Sequence, residues 1–438
     1  MHEKSIREAY GYIKLIGLTC QYVSELNTTT LSKDFPSAPV GRRKGVRAVV
    51  SDVEYLAPFK EGIELIKEAG GDAFKLCWQC GLCSASCPWN IVRTFMPHKM
   101  ICQSRYGLVD LEDEDWWLCS TCHMCVSRCP RGVAITDIIR AARKIMLEYQ
   151  YERAPASLRS AMGNLSSEGN PWGNERSKRA AWASDLKIPP YSSEAHDVLY
   201  FPCCVPSYDL KLGSVSRATA LLLQLTGAAF GILGAKESCC GESVRKAGNE
   251  ELFETLAKSN IEIFNNKGIR EIVVSSPHCY TTFKQEYPQL GGQFRVLHVS
   301  QYLASRIEEG RLNFTKELKK RIVYHDPCYL GRHNGIYEEP RRILQSVPGV
   351  MLMDEMESRE NSLCCGGGGG RMWMETKKEE RFSDILVEQA LAMGADILAT
   401  ACPYCILNFK DSVVTMEVED RLEVKDISEI VLEAMGDE

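Results

Sequence analysis

Apolar positions in this chain follow two rhythms. Phe59, Ile63, Leu65 and Ile66 recur at helical spacing within residues 46–75, and the pattern stops at Gly70–Gly71, which predicts a helix closed by glycine. Ile91 to Leu108 and Thr136 to Tyr149 predict further helices, and Tyr10 to Tyr22 one near the start. From His196 onward, short continuous apolar runs appear, as in Arg321-Ile-Val-Tyr-His-Asp-Pro-Cys328 and Asp396-Ile-Leu-Ala-Thr400. Such runs read as strands buried on both faces, and alternating with helices they predict α/β layers on a mostly parallel sheet. Sites in such layers lie at the carboxyl ends of the strands. The longest uncharged run, Ala218 to Ala235, carries Thr219, Gln224, Thr226 and three glycines. We read it as a helix over Ser214–Leu225, a turn at Gly227 and a short buried strand, not as a membrane span.

The strand-rich region repeats itself. Cys203, Cys239 and Cys240 have counterparts 125 residues later at Cys328, Cys364 and Cys365, and Cys279 matches Cys405 at an offset of 126. Each copy reads strand–Cys, helix, strand, Cys-Cys-Gly, helix, strand, x-Pro-x-Cys. The copies define two domains, 196–312 and 313–438, expected to face each other across a shared cleft. In the second, Cys328, Cys364, Cys365, Cys402 and Cys405 converge on one place, and Gly366–Gly370 let the backbone crowd a bulky inorganic group. In the first, Ser276 stands where Cys402 would be, leaving Cys203, Cys239, Cys240 and Cys279, with Cys204 spare. Two readings stay open there: a cluster on four thiols, or a half that has lost its metal and acts as a support.

Composition changes the picture at one residue type. Of 438 residues 20 are cysteine, while 25% charged residues and a net charge of −6 are ordinary and exclude a basic nucleic-acid surface. The chain opens Met1-His-Glu-Lys-Ser-Ile-Arg-Glu, without the apolar core of a signal peptide. Reduced thiols binding metal are therefore expected rather than a secreted disulfide framework. Residues 1–45 read as an N-terminal arm, with Cys20 a filler thiol and Asn27–Arg43 lying against a partner subunit. Residues 151–195, rich in Gly, Asn, Ser, Pro and Arg, read as a linker that Trp172 pins to a neighbouring surface.

Residues 46–150 carry the most specific signal. Cys77-x2-Cys80-x2-Cys83-x3-Cys87-Pro88 is answered by Cys119-x2-Cys122-x2-Cys125-x3-Cys129-Pro130. This is the spacing of a bacterial-type ferredoxin holding two cubane [4Fe–4S] clusters, in which the fourth cysteine of each run crosses to the other cluster. It assigns Cys77, Cys80, Cys83 and Cys129 to one cubane, and Cys119, Cys122, Cys125 and Cys87 to the second. Zinc knuckles need only two close pairs and do not explain the double run. Cys102 is expected to be a buried thiol. Trp116 and Trp117 are expected to pack over a cluster, and His123 to be a hydrogen-bonding neighbour.

Together these motifs resemble the CCG-domain iron–sulfur family, over roughly residues 70–438. The likeness is to the catalytic subunit (HdrD) of membrane-linked heterodisulfide reductase and to the DsrK subunit of the sulfite-reduction-associated membrane complex. The fold expected is α+β and multidomain: a helical two-cluster ferredoxin-type module followed by two pseudo-repeated α/β CCG domains. The resemblance implies a non-cubane [4Fe–4S] cluster on Cys328, Cys364, Cys365, Cys402 and Cys405 that cleaves a disulfide; Ser276 counts against an equivalent cluster in the first half. It implies an enzyme: an iron–sulfur oxidoreductase subunit reducing a heterodisulfide or a sulfur-carrier protein. Its donor would be a quinol-oxidising or haem-bearing membrane subunit, which holds this cytoplasmic chain at the membrane. The alternative is an electron relay between a flavoprotein dehydrogenase or electron-transferring flavoprotein and quinone. His325 is the first choice as proton donor, ahead of His278 and His333. Arg332, Arg341, Arg342 and Arg371 are candidate contacts for an acidic substrate. Gly366–Gly370 lacks a following Gly-Lys-Ser/Thr, and no G-x-G-x-x-G occurs, so no nucleotide or flavin site is expected on this chain.

Overall fold

Short strands, all but one of them four residues long, build both α/β halves. In the computed structural model, which describes residues 58–436, β1 (Val198–Phe201), β2 (Phe230–Gly231), β3 (Glu271–Val274) and β4 (Arg295–His298) form one sheet in the order β2-β1-β3-β4. β5 (Arg321–Tyr324), β6 (Met351–Asp354), β7 (Ile397–Thr400) and β8 (Glu423–Asp426) repeat that order as β6-β5-β7-β8. Every neighbouring pair is parallel, as expected for strands such as β1 and β7 that are buried along their whole length. The order reverses between the first and third strand of each half, which opens a crevice at their carboxyl ends. Cys203 and Cys279 follow β1 and β3, and Cys328 and Cys402 follow β5 and β7, so each crevice receives thiols from both of its walls.

Helices cover the sheets and join the halves. The uncharged run forms a helix over Gly213–Leu225, a left-handed turn at Gly227 and then β2. That helix packs on Ile427–Met435 of the second half, and Val299–Glu308 packs on Glu338–Ser346. Among the described residues no helix is long and apolar enough to cross a membrane.

The amino-terminal module is helical. The expected helix in 46–75 runs over Lys60–Ile66 and breaks at Gly70, whose φ is 95°. The longer helix Ile135–Gln150 closes the module. The single helix expected over Ile91–Leu108 is two pieces, Trp89–Val92 and Pro97–Tyr106. Arg93 is extended between them, and Pro97, lacking an N–H, starts a helix more readily than it continues one. The Tyr10–Tyr22 helix, Cys20 and the arm Asn27–Arg43 lie outside the described residues.

Residues 151–195 are not a bare linker. Ala156–Glu168 is a helix that buries Leu158, Ala161, Met162 and Leu165, and Arg176–Ala183 forms 3-10 turns that bury Arg179 and Trp182. The spacing of the four apolar residues is helical; the glycines and asparagines around them obscured it. Trp172 does pin the segment, edge-on to Trp373 with centroids 5.1 Å apart.

Candidate functional site

The two cysteine runs of the module make two cavities. Each run opens on a turn that only a left-handed residue completes, Gly81 in one and His123 in the other, before a single helical turn. One cavity, of about 350 Å³, is lined by Cys77, Cys80, Cys83 and Cys129 together with His98 and Arg131. The other, also of about 350 Å³, is lined by Cys119, Cys122, Cys125 and Cys87. Each thus takes three thiols from one run and the fourth from the other. No cysteine among the described residues forms a disulfide. Backbone N–H groups point at the sulfurs, Gln79 N to Cys77 Sγ, Thr121 N to Cys119 Sγ and Val133 N to Cys129 Sγ, each at 3.4 Å. Backbone N–H groups aimed at sulfur are the contacts that surround metal-bound cysteines, so these chambers fit metal–sulfur groups.

The walls differ from expectation. Trp116 and Trp117 are buried, but the tryptophan lining the second cavity is Trp89 and that lining the first is Trp78. Trp116 instead turns its N–H to Asp110 O at 3.0 Å. Cys102 is half-buried, not buried. His123 bonds Thr136 Oγ1 at 3.1 Å through Nε2 and lines the second cavity.

The second cavity abuts the second α/β half. Cys122 and Met124 pack in one cluster with Cys328, Tyr329 and Cys364, and Ser120 Oγ lies 3.5 Å from Cys364 Sγ. Two glycines of the run, Gly368 and Gly369, make room for this docking. A Cβ on Gly368 would meet Ser120 O at 2.4 Å, and one on Gly369 would meet Cys119 O at 2.5 Å. Arg143, fully buried, fastens the joint. It donates to Trp116 O and Cys119 O of the module, to Lys246 O of the first half and to Gly369 O of the second, at 2.7–2.9 Å.

The five thiols of the second half converge. Cys402 caps the helix Pro403–Thr415, Cys405 sits in its first turn, and Cys405 Sγ donates to Cys365 Sγ at 3.3 Å. Cys364 packs against Cys328 and Cys122, and Gly366 N donates to Cys364 Sγ at 3.3 Å. Five thiols are more than the four ligands a single zinc ion takes, so the donor set fits a larger metal–sulfur group. Cys365, Gly366 and Gly367 also line an open cleft of about 1160 Å³ with Arg371, Met372, Arg381 and Asn408.

Three histidines were candidates. His278, although it belongs to the first half, lies near enough to Cys402 of the second for the two to interact electrostatically. Burial alone would lower its pKa, but Glu242, 3.2 Å from Nδ1, and Cys402 raise it to about 10. Its ring stacks between Tyr329 and Tyr404, with centroids 3.9 and 4.2 Å away. His325, the first choice from sequence, faces Glu355 with Nδ1 at 2.9 Å and bonds none of the thiols. His333 donates through Nε2 to Thr121 O at 2.8 Å and braces the module.

Of the four arginines only Arg371 lines the cleft. Arg332 is spent on Cys122 O and Ser362 O, Arg341 on Asp326 and Asp354, and Arg342 on Glu308 at the surface. Arg143, Glu242 and Arg381 carried no motif and were missed. Glu242 alone left a trace, two residues after Cys240.

Comparison with known proteins agrees with this architecture. Residues 198–284 and 322–410 each match the CCG family of cysteine-rich domains, and 73–133 match a 4Fe-4S dicluster domain. The chain is 35% identical over 335 residues to the EtfAB:quinone oxidoreductase of Syntrophomonas wolfei, covering 74% of this chain and 47% of that protein. It is equally similar, with the same coverage, to the probable iron-sulfur-binding oxidoreductase FadF of Bacillus subtilis. The chain thus spans about half the length of these two relatives. A subunit of the dihydromethanophenazine:CoB–CoM heterodisulfide reductase of Methanosarcina barkeri is 32% identical, covering 73% of this chain and 77% of that one.

Proposed function

Because the chain belongs to the CCG iron–sulfur family, which it shares with a heterodisulfide reductase subunit, we propose that it passes electrons through two cubane [4Fe–4S] clusters to a non-cubane [4Fe–4S] site in its second half, which reduces a disulfide-type substrate. The chain is an iron–sulfur oxidoreductase subunit related to that protein and to EtfAB:quinone oxidoreductase; substrate, cluster geometry and partners are the proposal. Cys77, Cys80, Cys83 and Cys129 hold the first cubane, and Cys119, Cys122, Cys125 and Cys87 the second. Cys328, Cys364, Cys365, Cys402 and Cys405 hold the non-cubane group. Clusters bound there supply single electrons.

Two electrons and two protons convert one disulfide into two thiols. Cys80 is exposed and Trp78 is 69% exposed beside the first cavity, which supports electrons arriving there from a partner such as a quinol-oxidising or haem-bearing membrane subunit. Cys122 against Cys364 supports their onward passage. His278, paired with Glu242 and interacting electrostatically with Cys402, is the residue best set to hold a proton beside the reacting sulfur, in place of His325. Arg371 and Arg381 face the cleft and suit a substrate with acidic groups, a small heterodisulfide or the persulfide-bearing tail of a carrier protein.

The observation that carries this reading is the open cleft ending at Cys365, because a site that only relays electrons has no use for solvent access. The likeness to EtfAB:quinone oxidoreductase favours a second reading, a relay between an electron-transferring flavoprotein and quinone. Electron paramagnetic resonance of the oxidised protein separates the two. A thiol substrate such as coenzyme M or coenzyme B is expected to perturb the signal of the second half. An unchanged signal with every thiol tried and full iron content favours the relay.

A further inference from the structure

The first α/β half carries a feature that its repeat does not predict. Cys204, spare by alignment of the halves, joins the thiols. Cys203, Cys204, Cys239, Cys240 and Cys279 are all buried, and each thiol interacts electrostatically with its neighbours, Cys203 with Cys204 and Cys279, Cys239 with Cys204 and Cys240, and Cys240 with Cys279. Five buried sulfurs thus form one ring of neighbours, as many as the second half brings together. The counterpart of Cys204 in the second half is Tyr329, and the counterpart of Ser276 is Cys402. Ser276 is turned away from the ring: its hydroxyl caps the helix Pro277–Thr281, accepting from His278 N at 3.3 Å. The halves have exchanged one thiol position for another.

Two further observations mark the ring as a built site. Cys203 has φ 73° and ψ 154°, a conformation nearly confined to glycine that costs about 1–3 kcal/mol and persists only where surroundings enforce it. It brings neighbouring residues, Cys203 and Cys204, into one ring. Arg179 is 1% exposed, and its Nε and Nη1 have no hydrogen-bond partner, while Nη2 reaches Glu237 at 3.4 Å. Its charge acts on both Cys204 and Cys239. Unpartnered buried N–H groups are costly, and here they border sulfur. The backbone matches the second half, with Gly241 N donating to Cys239 Sγ at 3.4 Å as Gly366 N does to Cys364 Sγ at 3.3 Å.

We propose that the first half holds its own iron–sulfur cluster on five thiolates, Cys203, Cys204, Cys239, Cys240 and Cys279, with Cys204 replacing the ligand lost at Ser276 and Arg179 donating to the cluster sulfur. Five thiolates exceed the four ligands that a lone zinc ion takes, so the ring suits a cluster. A cluster here does not depend on what the second half reduces.

The test is iron and acid-labile sulfide analysis, with Mössbauer spectra, of the full chain purified without oxygen. Cys204→Ala is expected to lose about four irons per chain and keep the signals of the other clusters. Adding Ser276→Cys to that variant is expected to restore them, because Ser276 and Cys402 occupy the same helix-cap position. Cys365→Ala, which disturbs only the second half, is expected to leave about twelve irons. Full iron in Cys204→Ala, or only about eight irons in Cys365→Ala, overturns the assignment, as does zinc in place of iron in the first half. The Cys365→Ala count decides the matter even if Cys204→Ala does not fold.

Discussion

His123 and His333 lie face to face, with ring centroids 3.5 Å apart and planes 14° from parallel. One belongs to the second cysteine run of the module, the other to the second α/β half. Burial holds both neutral, pushing His123 down to about 3 and His333 well below its usual value. The stack continues through Tyr329, 4.0 Å from His333, to His278 and Tyr404. Five rings thus run from the cavity of Cys87, Cys119, Cys122 and Cys125 to the Cys402-Pro-Tyr-Cys405 turn.

If this stack positions the chambers, His333→Ala should loosen the joint by about 1–3 kcal/mol, from one buried hydrogen bond and one ring contact. Rapid-freeze spectroscopy should then show slower arrival of electrons at the second half, with the reduction of the first two clusters unchanged. His333→Phe, which keeps the ring, should recover most of that rate.

Arg143 satisfies four carbonyls from three parts of the chain. Arg143→Met leaves them buried without a donor and should cost more than about 3 kcal/mol. The expected outcome is a lower unfolding midpoint in denaturant and a module that proteases release from the α/β halves. An unchanged midpoint would contradict the clamp.

The cleft predicts a split in kinetic constants. Burial lowers the pKa of Arg371 to about 10, so it remains charged at neutral pH, and it bonds Thr376 Oγ1 at 2.6 Å. With an acidic disulfide, Arg371→Ala should raise KM roughly tenfold, about 1.4 kcal/mol, and leave kcat near its original value. Cys365→Ala should abolish turnover while dye-driven reduction of the module's clusters continues.

Asp426 caps the helix Ile427–Met435, accepting from Ser428 N at 2.9 Å, yet burial raises its pKa to about 7. A carboxyl that titrates higher in the folded than in the unfolded chain binds the extra proton when folded. Its contribution to stability therefore falls as pH rises from about 4 to about 7, by roughly 4 kcal/mol at most. Asp426→Asn, which keeps the cap, should flatten this part of the stability–pH curve measured by urea unfolding.

Much of this molecule was legible without coordinates because its chemistry is written in spacing. Three thiols, each separated from the next by two residues, recur in both runs, and this local order foretold two cavities that take Cys87 and Cys129 from the opposite run. The halves were legible because a parallel strand buried on both faces must be apolar throughout, as Ile322–Tyr324 and Ile397–Thr400 are. The helix Ala156–Glu168 was hidden because its Leu158, Met162 and Leu165 stripe is diluted by Gly, Asn and Ser.

The sequence by itself determined which thiols recur, the order of the modules and the α/β character of the halves, since each follows from residues near one another in the chain. Tertiary packing alone sets His278 of one half between Tyr329 and Tyr404 of the other, brings Gly368 and Gly369 against the backbone of Ser120 and Cys119, and buries Arg143 and Arg179. Those facts depend on which surfaces meet, and a contact between residues a hundred or more positions apart leaves no period or spacing to be read.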